Sequence, residues 1–161
     1  MGVHHRSRRY GLAGAIATGV IGAGLLTPLP AQAIGHSAAR AASAKKAPCT
    51  LKRIRACVSL GQQKAWLMRN GKVVYGPARI TSGRPGYRTD RGMWRVTFKD
   101  IDHRSHAFGG APMPYSVFFH GGEAFHEGSL SVSSHGCVHL SHKSAVKFYN
   151  YLHKGDYVRV R

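Results

Sequence analysis

One stretch constrains this chain more than any other: Met113 to His142, reading MPYSVFFHGGEAFHEGSLSVSSHGCVHLSH. Tyr115 to His120 is aromatic and rich in β-formers, Gly121-Gly122 makes a tight turn, and Glu123 to His126 returns as a short strand. The stretch then closes on Ser134-His135-Gly136-Cys137, so that His120, His126, His135 and His139 surround a single cysteine. A thiol attacks only as thiolate, and an unassisted cysteine near pH 7 is mostly protonated. An imidazole within hydrogen-bond reach takes that proton and leaves an active thiolate–imidazolium pair. Glycine at position 136 lets backbone N–H groups approach a developing oxyanion with no side chain in the way. The fold must therefore be one in which a hairpin delivers His126 to Cys137, and the chemistry expected is cysteine acyl transfer.

The rest of the domain reads mostly as strands. Val58 and Leu60 alternate, Ala65-Trp66-Leu67-Met68 is a short apolar run, and Asn70-Gly71 is a strong hairpin signal with Lys72 to Tyr75 returning. Gly76-Pro77 is expected to break that strand, Ala78 to Ser82 to resume it, and Gly83-Arg84-Pro85-Gly86 to turn. Gly92 to Lys99 alternates as one further strand, and Asp100 to Pro112 reads as a long loop walling a cleft. One helix is expected after the cysteine. Ser141 caps it, Ala145, Phe148, Tyr149 and Leu152 form its apolar face, and Gly155 stops it. Tyr157 to Arg161 closes the sheet. Trp66 and Trp94 sit in strand patterns and are expected in the core.

The front of the chain has a different character. A basic start with Arg6, Arg8 and Arg9, an apolar run from Gly11 to Leu26 and the small-residue site Ala31-Gln32-Ala33 describe an export signal over residues 1–33. The apolar run is shorter than the roughly 20 residues a membrane span needs, so no stable span is expected after cleavage. Residues 34–48 are Ala/Lys-rich without periodicity and read as a flexible tether. That leaves residues 49–161 as one catalytic domain, secreted or held in the cell wall. Removing the signal leaves 21 Lys and Arg against six acidic residues, a net +15. Such an excess favours anionic partners, and for an exported chain those are anionic cell-wall polymers rather than nucleic acid. Three cysteines outside the cell suggest one disulfide and one free thiol. Cys49 and Cys57, eight apart, are the expected pair; the rival pairing of Cys137 with either would abolish the proposed chemistry.

The hairpin histidine followed by Ser-His-Gly-Cys resembles the L,D-transpeptidase catalytic domain (YkuD) family. Segments at Trp66-Leu67, Thr81 to Gly83, Gly92 to Phe98 and Met113-Pro114-Tyr115 are compatible with the same pattern. The resemblance implies a mainly β fold, a β-sandwich with one helix towards the C-terminus. It also implies a thiol enzyme of peptidoglycan stem peptides, requiring neither an organic cofactor nor a metal. Carried onto this chain, Cys137 is the nucleophile and His126 its general base. Ser134, His135 and Gly136 shape the motif turn, with backbone N–H groups near Gly136 and Cys137 as the oxyanion hole. Tyr115, His120 and His139 are candidates for substrate contact. Three features depart from the family pattern. His126 precedes Cys137 by only 11 residues, Glu127 stands where Gly or Ser is common, and His139 replaces the usual Arg or Asn. A protonated His139 is then the group left to take a substrate carboxylate.

Three other readings compete. Water in place of an amine would make the same thioester chemistry an L,D-carboxypeptidase. A zinc site could draw on His120, His126, His135, Cys137 or His139, but no standard zinc-ligand spacing occurs. A non-catalytic wall-binding module would use the basic surface alone and has no reason to keep an unpaired thiol outside the cell.

Overall fold

The structure, a computed structural model, describes residues 46–161. The expected signal and all of the tether before Lys46 lie outside the described residues. No helix among the described residues is long and apolar enough to cross a membrane.

Among the described residues, nine strands form one sheet. β1 (Ile54–Ser59), β2 (Lys64–Arg69) and β3 (Lys72–Thr81) make an antiparallel meander at its centre. Beyond β1 lies β9 (Tyr157–Val160), parallel to it, and then β4 (Gly92–Arg95) at one edge. On the other side β3 pairs with β8 (Val138–Leu140), which runs parallel to β7 (Glu123–Glu127). β6 (Ala111–His120) and β5 (Phe98–Ser105) complete the order β4-β9-β1-β2-β3-β8-β7-β6-β5. One core joins both halves. Ala56, Val58, Leu67 and Val158 share it with Val117, Phe119, Phe125, Val138 and Leu140, which requires the sheet to curl so that its two halves face each other. The mainly β fold expected from the family pattern is the fold observed.

The helix α1 (His142–Tyr151) packs against β6, β7 and β8. Ser141 Oγ accepts the Ser144 N–H at 3.4 Å, satisfying one of the free donors of the first turn. Ala145, Phe148 and Leu152 have no exposed surface. Phe148 packs on Phe125 with centroids 5.1 Å apart, a burial of about 1.5–3 kcal/mol for such a side chain. The helix is pinned at both ends by Tyr75 with Ser144 (3.0 Å) and by the Tyr151 hydroxyl on the Met68 carbonyl (2.7 Å). A smaller core on the outer face of β1 and β2 buries Ile54, Trp66 and Met68 under Ala47 and Cys49. The Cys49–Cys57 disulfide fastens that cover, and Cys137 is free.

Three elements differ from the sequence expectation. Gly76-Pro77 does not end β3, because the register shifts between Ala65 and Leu67 let a bulge absorb the proline that cannot donate. Residues 100–112 are not a loop. β5 pairs with β6 from Phe98↔Phe118 to Ser105↔Ala111, with a short 3-10 turn, His106–Phe108, at the tip. An edge strand exposed on both sides needs no apolar alternation, so its charges read as loop. The continuous strand expected over Gly92 to Lys99 is likewise divided, with buried Val96 between β4 and β5.

Candidate active site

The parallel pair β7–β8 sets the geometry. Phe125 pairs with Val138, and both side chains point into the core. Side chains alternate along a strand, so Ala124 and His126 on β7 share the opposite face with Cys137 and His139. His126 pairs with His139 in register, ring centroids 4.8 Å apart at 74°. The hairpin and the motif turn thus bring thiol and imidazole to one surface.

The His126 ring is buried, and its Nδ1 lies 2.7 Å from the Glu127 carbonyl oxygen. A carbonyl only accepts, so Nδ1 carries the proton and Nε2 keeps its lone pair. Burial first, then the neighbouring His139, holds the imidazole well below the usual histidine range, at about 4. A histidine shifted in this direction is neutral at pH 7. Burial also pushes the Cys137 thiol up; the Ala124 N–H beside the sulfur opposes this, and Glu123 adds to it. The thiol lies 3.7 Å from the Gly122 carbonyl oxygen. Both shifts favour the neutral forms, thiol and imidazole, over the thiolate–imidazolium pair expected from the sequence.

The motif turn is held from several directions. Ser134 Oγ donates to the Cys137 carbonyl (2.5 Å) and accepts the Gly136 N–H (3.1 Å). That commits the Gly136 N–H and leaves the Cys137 N–H as the motif's candidate oxyanion donor. Gly136 has φ +117°, a conformation side-chain-bearing residues rarely adopt. Its carbonyl accepts from Thr89 Oγ1 (2.7 Å), which in turn accepts the Gly83 N–H (3.0 Å). A Cβ on Gly83 would lie 1.9 Å from the Tyr87 carbonyl oxygen, so only glycine lets loop 83–89 close against the turn. His135 is exposed between Tyr87 (4.8 Å) and Phe108 (4.7 Å), one ring from this loop and one from the β5–β6 tip.

The remaining candidates lie around this centre. His139 Nδ1 meets both Thr81 Oγ1 and the Ser129 carbonyl oxygen at 3.1 Å. His120 stacks on Trp94 at 3.6 Å and pairs with Asp90 at 3.2 Å. Tyr115 packs against His142 and Tyr149 of α1, at 5.4 and 6.0 Å. No group of three or more His, Cys, Asp or Glu among the described residues converges as metal ligands would. A cavity of about 440 Å³ opens beside the turn, between Leu60 to Gln63 and Ser82 to Arg91, with Arg88 and Arg91 in its wall.

Sequence reasoning missed Thr89, Thr81 and Glu123. Glu123 accepts the Asp90 N–H at 2.8 Å through Oε1, while Oε2 is buried with no partner among the described residues. Burial raises its carboxyl to about 7. Its place directly after Gly121-Gly122 was a usable signal; nothing local marks Thr89, 47 residues from its partner Gly136.

The L,D-transpeptidase catalytic domain model matches residues 53–160, and the chain belongs to that family. An L,D-transpeptidase from Stackebrandtia nassauensis is 30% identical with TM-score 0.65, over 71% of this chain and 58% of that one. One from Mycobacterium tuberculosis H37Rv is 26% identical with TM-score 0.58, over 65% and 55%. One from Xylanimonas cellulosilytica, 23% identical, shares the fold with TM-score 0.67, over 79% and 69%. The chain thus spans little more than half the length of the Stackebrandtia and Mycobacterium structures. No curated protein matches it.

Proposed function

We propose that this protein is an exported peptidoglycan L,D-transpeptidase with Cys137 as nucleophile and His126 as general base. The observation that carries the reading is the His126 tautomer: Nδ1–H on the Glu127 carbonyl leaves a basic Nε2 on the face that also bears Cys137. The thiol turns from Gly122 towards Nε2 and gives up its proton as Sγ attacks the carbonyl of the L-to-D bond in a tetrapeptide stem. The Cys137 N–H receives the oxyanion. His126 returns the proton to the leaving amine, and D-alanine departs from the thioester. An acceptor amine then attacks, passes a proton to His126, and forms a 3→3 cross-link as the thiol is restored. Ser134, His135 and Gly136 hold the turn; Tyr115, His120 and His139 are the proposed substrate-side groups. Neutral resting groups fit this sequence, because proton transfer accompanies attack instead of preceding it. No cofactor enters any step.

Partners are stem peptides and anionic wall polymers, reached after cleavage of residues 1–33. The second reading, an L,D-carboxypeptidase, replaces the acceptor amine with water. Incubating the protein and its Cys137→Ala variant with disaccharide-tetrapeptide, followed by mass spectrometry, separates the two. D-alanine release with a cross-linked dimer, absent in the variant, supports the transpeptidase. Tripeptide alone supports the carboxypeptidase, and turnover by the variant overturns both.

A further inference from the structure

The six acidic residues of the chain are unevenly placed. Asp90, Glu123 and Glu127 lie around the candidate active site, and Asp100 and Asp102 lie on β5. Only Asp156 lies where β1 and β9 begin and β2 and β4 end. The same end gathers cations by register. Arg95 pairs with Tyr157, Tyr157 with Ile54, and Arg69 with Lys72 at the β2–β3 turn, while Arg53 and Arg55 flank Ile54.

Four of these arginines are already arranged on tyrosines. Arg53 and Arg95 lie 5.0 and 4.0 Å from the Tyr157 ring centroid; Arg55 and Arg69 lie 4.6 and 5.7 Å from that of Tyr151. Arg95 also donates to the Tyr157 hydroxyl and to the Gly155 carbonyl (3.1 Å). Asp156 approaches Arg55 Nε at 3.8 Å and is the one carboxylate offsetting the group. Arg53, Arg69 and Arg95 remain exposed. Contact with a ring face restrains a guanidinium while leaving N–H donors for phosphate or carboxylate oxygens, although two of those on Arg95 are taken by Gly155 and Tyr157.

We propose that this end of the sheet is a binding site for a phosphodiester-linked wall polymer, a surface that holds the enzyme on its matrix. The proposal rests on the wall-enzyme reading for its choice of polymer. Nucleic acid fits less well, because single-strand binders stack bases on free aromatic faces and each tyrosine here is already engaged by two guanidinium groups. The site is separate from the thiol. β1 runs from this end to the β1–β2 turn, where Gln63 Nε2 donates to Ser82 Oγ (2.9 Å) beside the Gly83–Ser134 bridge. Six residues of strand separate the two ends by about 20 Å.

The test compares the full chain with an Arg53→Gln/Arg69→Gln/Arg95→Gln variant, titrated with a glycerol-phosphate oligomer across a salt series. The variant should bind at least about tenfold more weakly at 0.1 M salt, and its log K against log salt slope should fall by about 2, since three charges are removed. Unchanged affinity and slope overturn the site, as does a DNA oligomer of equal charge binding tighter than the polymer. If the triple variant does not fold, Arg53→Gln and Arg69→Gln singly should each lower the slope by about 0.7. Turnover of soluble muropeptide should be equal in both proteins. Polymer binding that tracks the arginines without any muropeptide turnover would sink the transpeptidase reading while leaving the surface in place.

Discussion

His126 and His139 face each other across the parallel β7–β8 pair, their ring centroids 4.8 Å apart and nearly perpendicular. Two imidazoles this close do not both take a proton readily, so His139 keeps His126 basic in form but weakly basic in strength, reinforcing the effect of burial. His139 thus also acts on the proposed base.

His139→Asn should therefore raise the His126 pKa from about 4, without restoring an exposed histidine's value because burial is the larger cause. The acid limb of the pH–rate profile for acylation should move to higher pH. An unmoved limb would show that His139 does not act on the base.

Glu123→Gln should make the thiol more reactive. The Glu123 carboxylate raises the Cys137 pKa, and its own carboxyl titrates near 7. Alkylation of Cys137 by iodoacetamide at pH 8 should speed up by roughly two- to tenfold in the variant. Equal rates would place Glu123 outside the thiol's electrostatic reach.

Stability should carry two opposed pH dependences. Glu123, raised from 4.5 to about 7, stabilises the fold below pH 4.5 and loses that contribution as pH rises to about 7. His126, lowered from 6.5 to about 4, does the reverse, its contribution being full above 6.5 and lost as pH falls to about 4. Between 4.5 and 6.5 the slopes oppose each other. Urea unfolding across this window should show stability rising with pH in Glu123→Gln and falling with pH in His126→Gln.

Thr89→Val should loosen the motif turn. It leaves the buried Gly136 carbonyl and the Gly83 N–H without their shared partner, at a cost of about 1–3 kcal/mol. Denaturant unfolding reads the loss, and a fall in acylation rate at unchanged Cys137 accessibility shows that the turn itself has shifted.

Replacing both Cys49 and Cys57 by Ala should cost about 2–4 kcal/mol, because the disulfide fastens the cover over Trp66 and Ile54. Thiol titration of the denatured, unreduced wild type should find one free cysteine, Cys137. Two or three free thiols would remove the staple from the account.

The amino-acid sequence alone determined the family and the strand-rich class, and it singled out Cys137 and His126 as the proposed pair. Those depend on local signals: a glycine turn, alternating apolar residues and a short motif beside it. It also marked α1 to within a turn, through Ser141 and the spacing of Ala145, Phe148 and Leu152. Other features required the tertiary structure because they arise between segments far apart in the chain. β5 is a strand only because β6 pairs with it, and the Thr89 brace exists only once Gly83 allows its loop to close on Gly136. The protonation of the pair was equally beyond the sequence. An isolated Cys and His suggest thiolate and imidazolium, whereas burial and the register that sets His139 beside His126 favour both neutral forms. Charge segregation follows the same rule: composition reports the excess of cations, but strand order decides that arginines on three strands and on the turn before β1 meet two tyrosines at one end of the sheet.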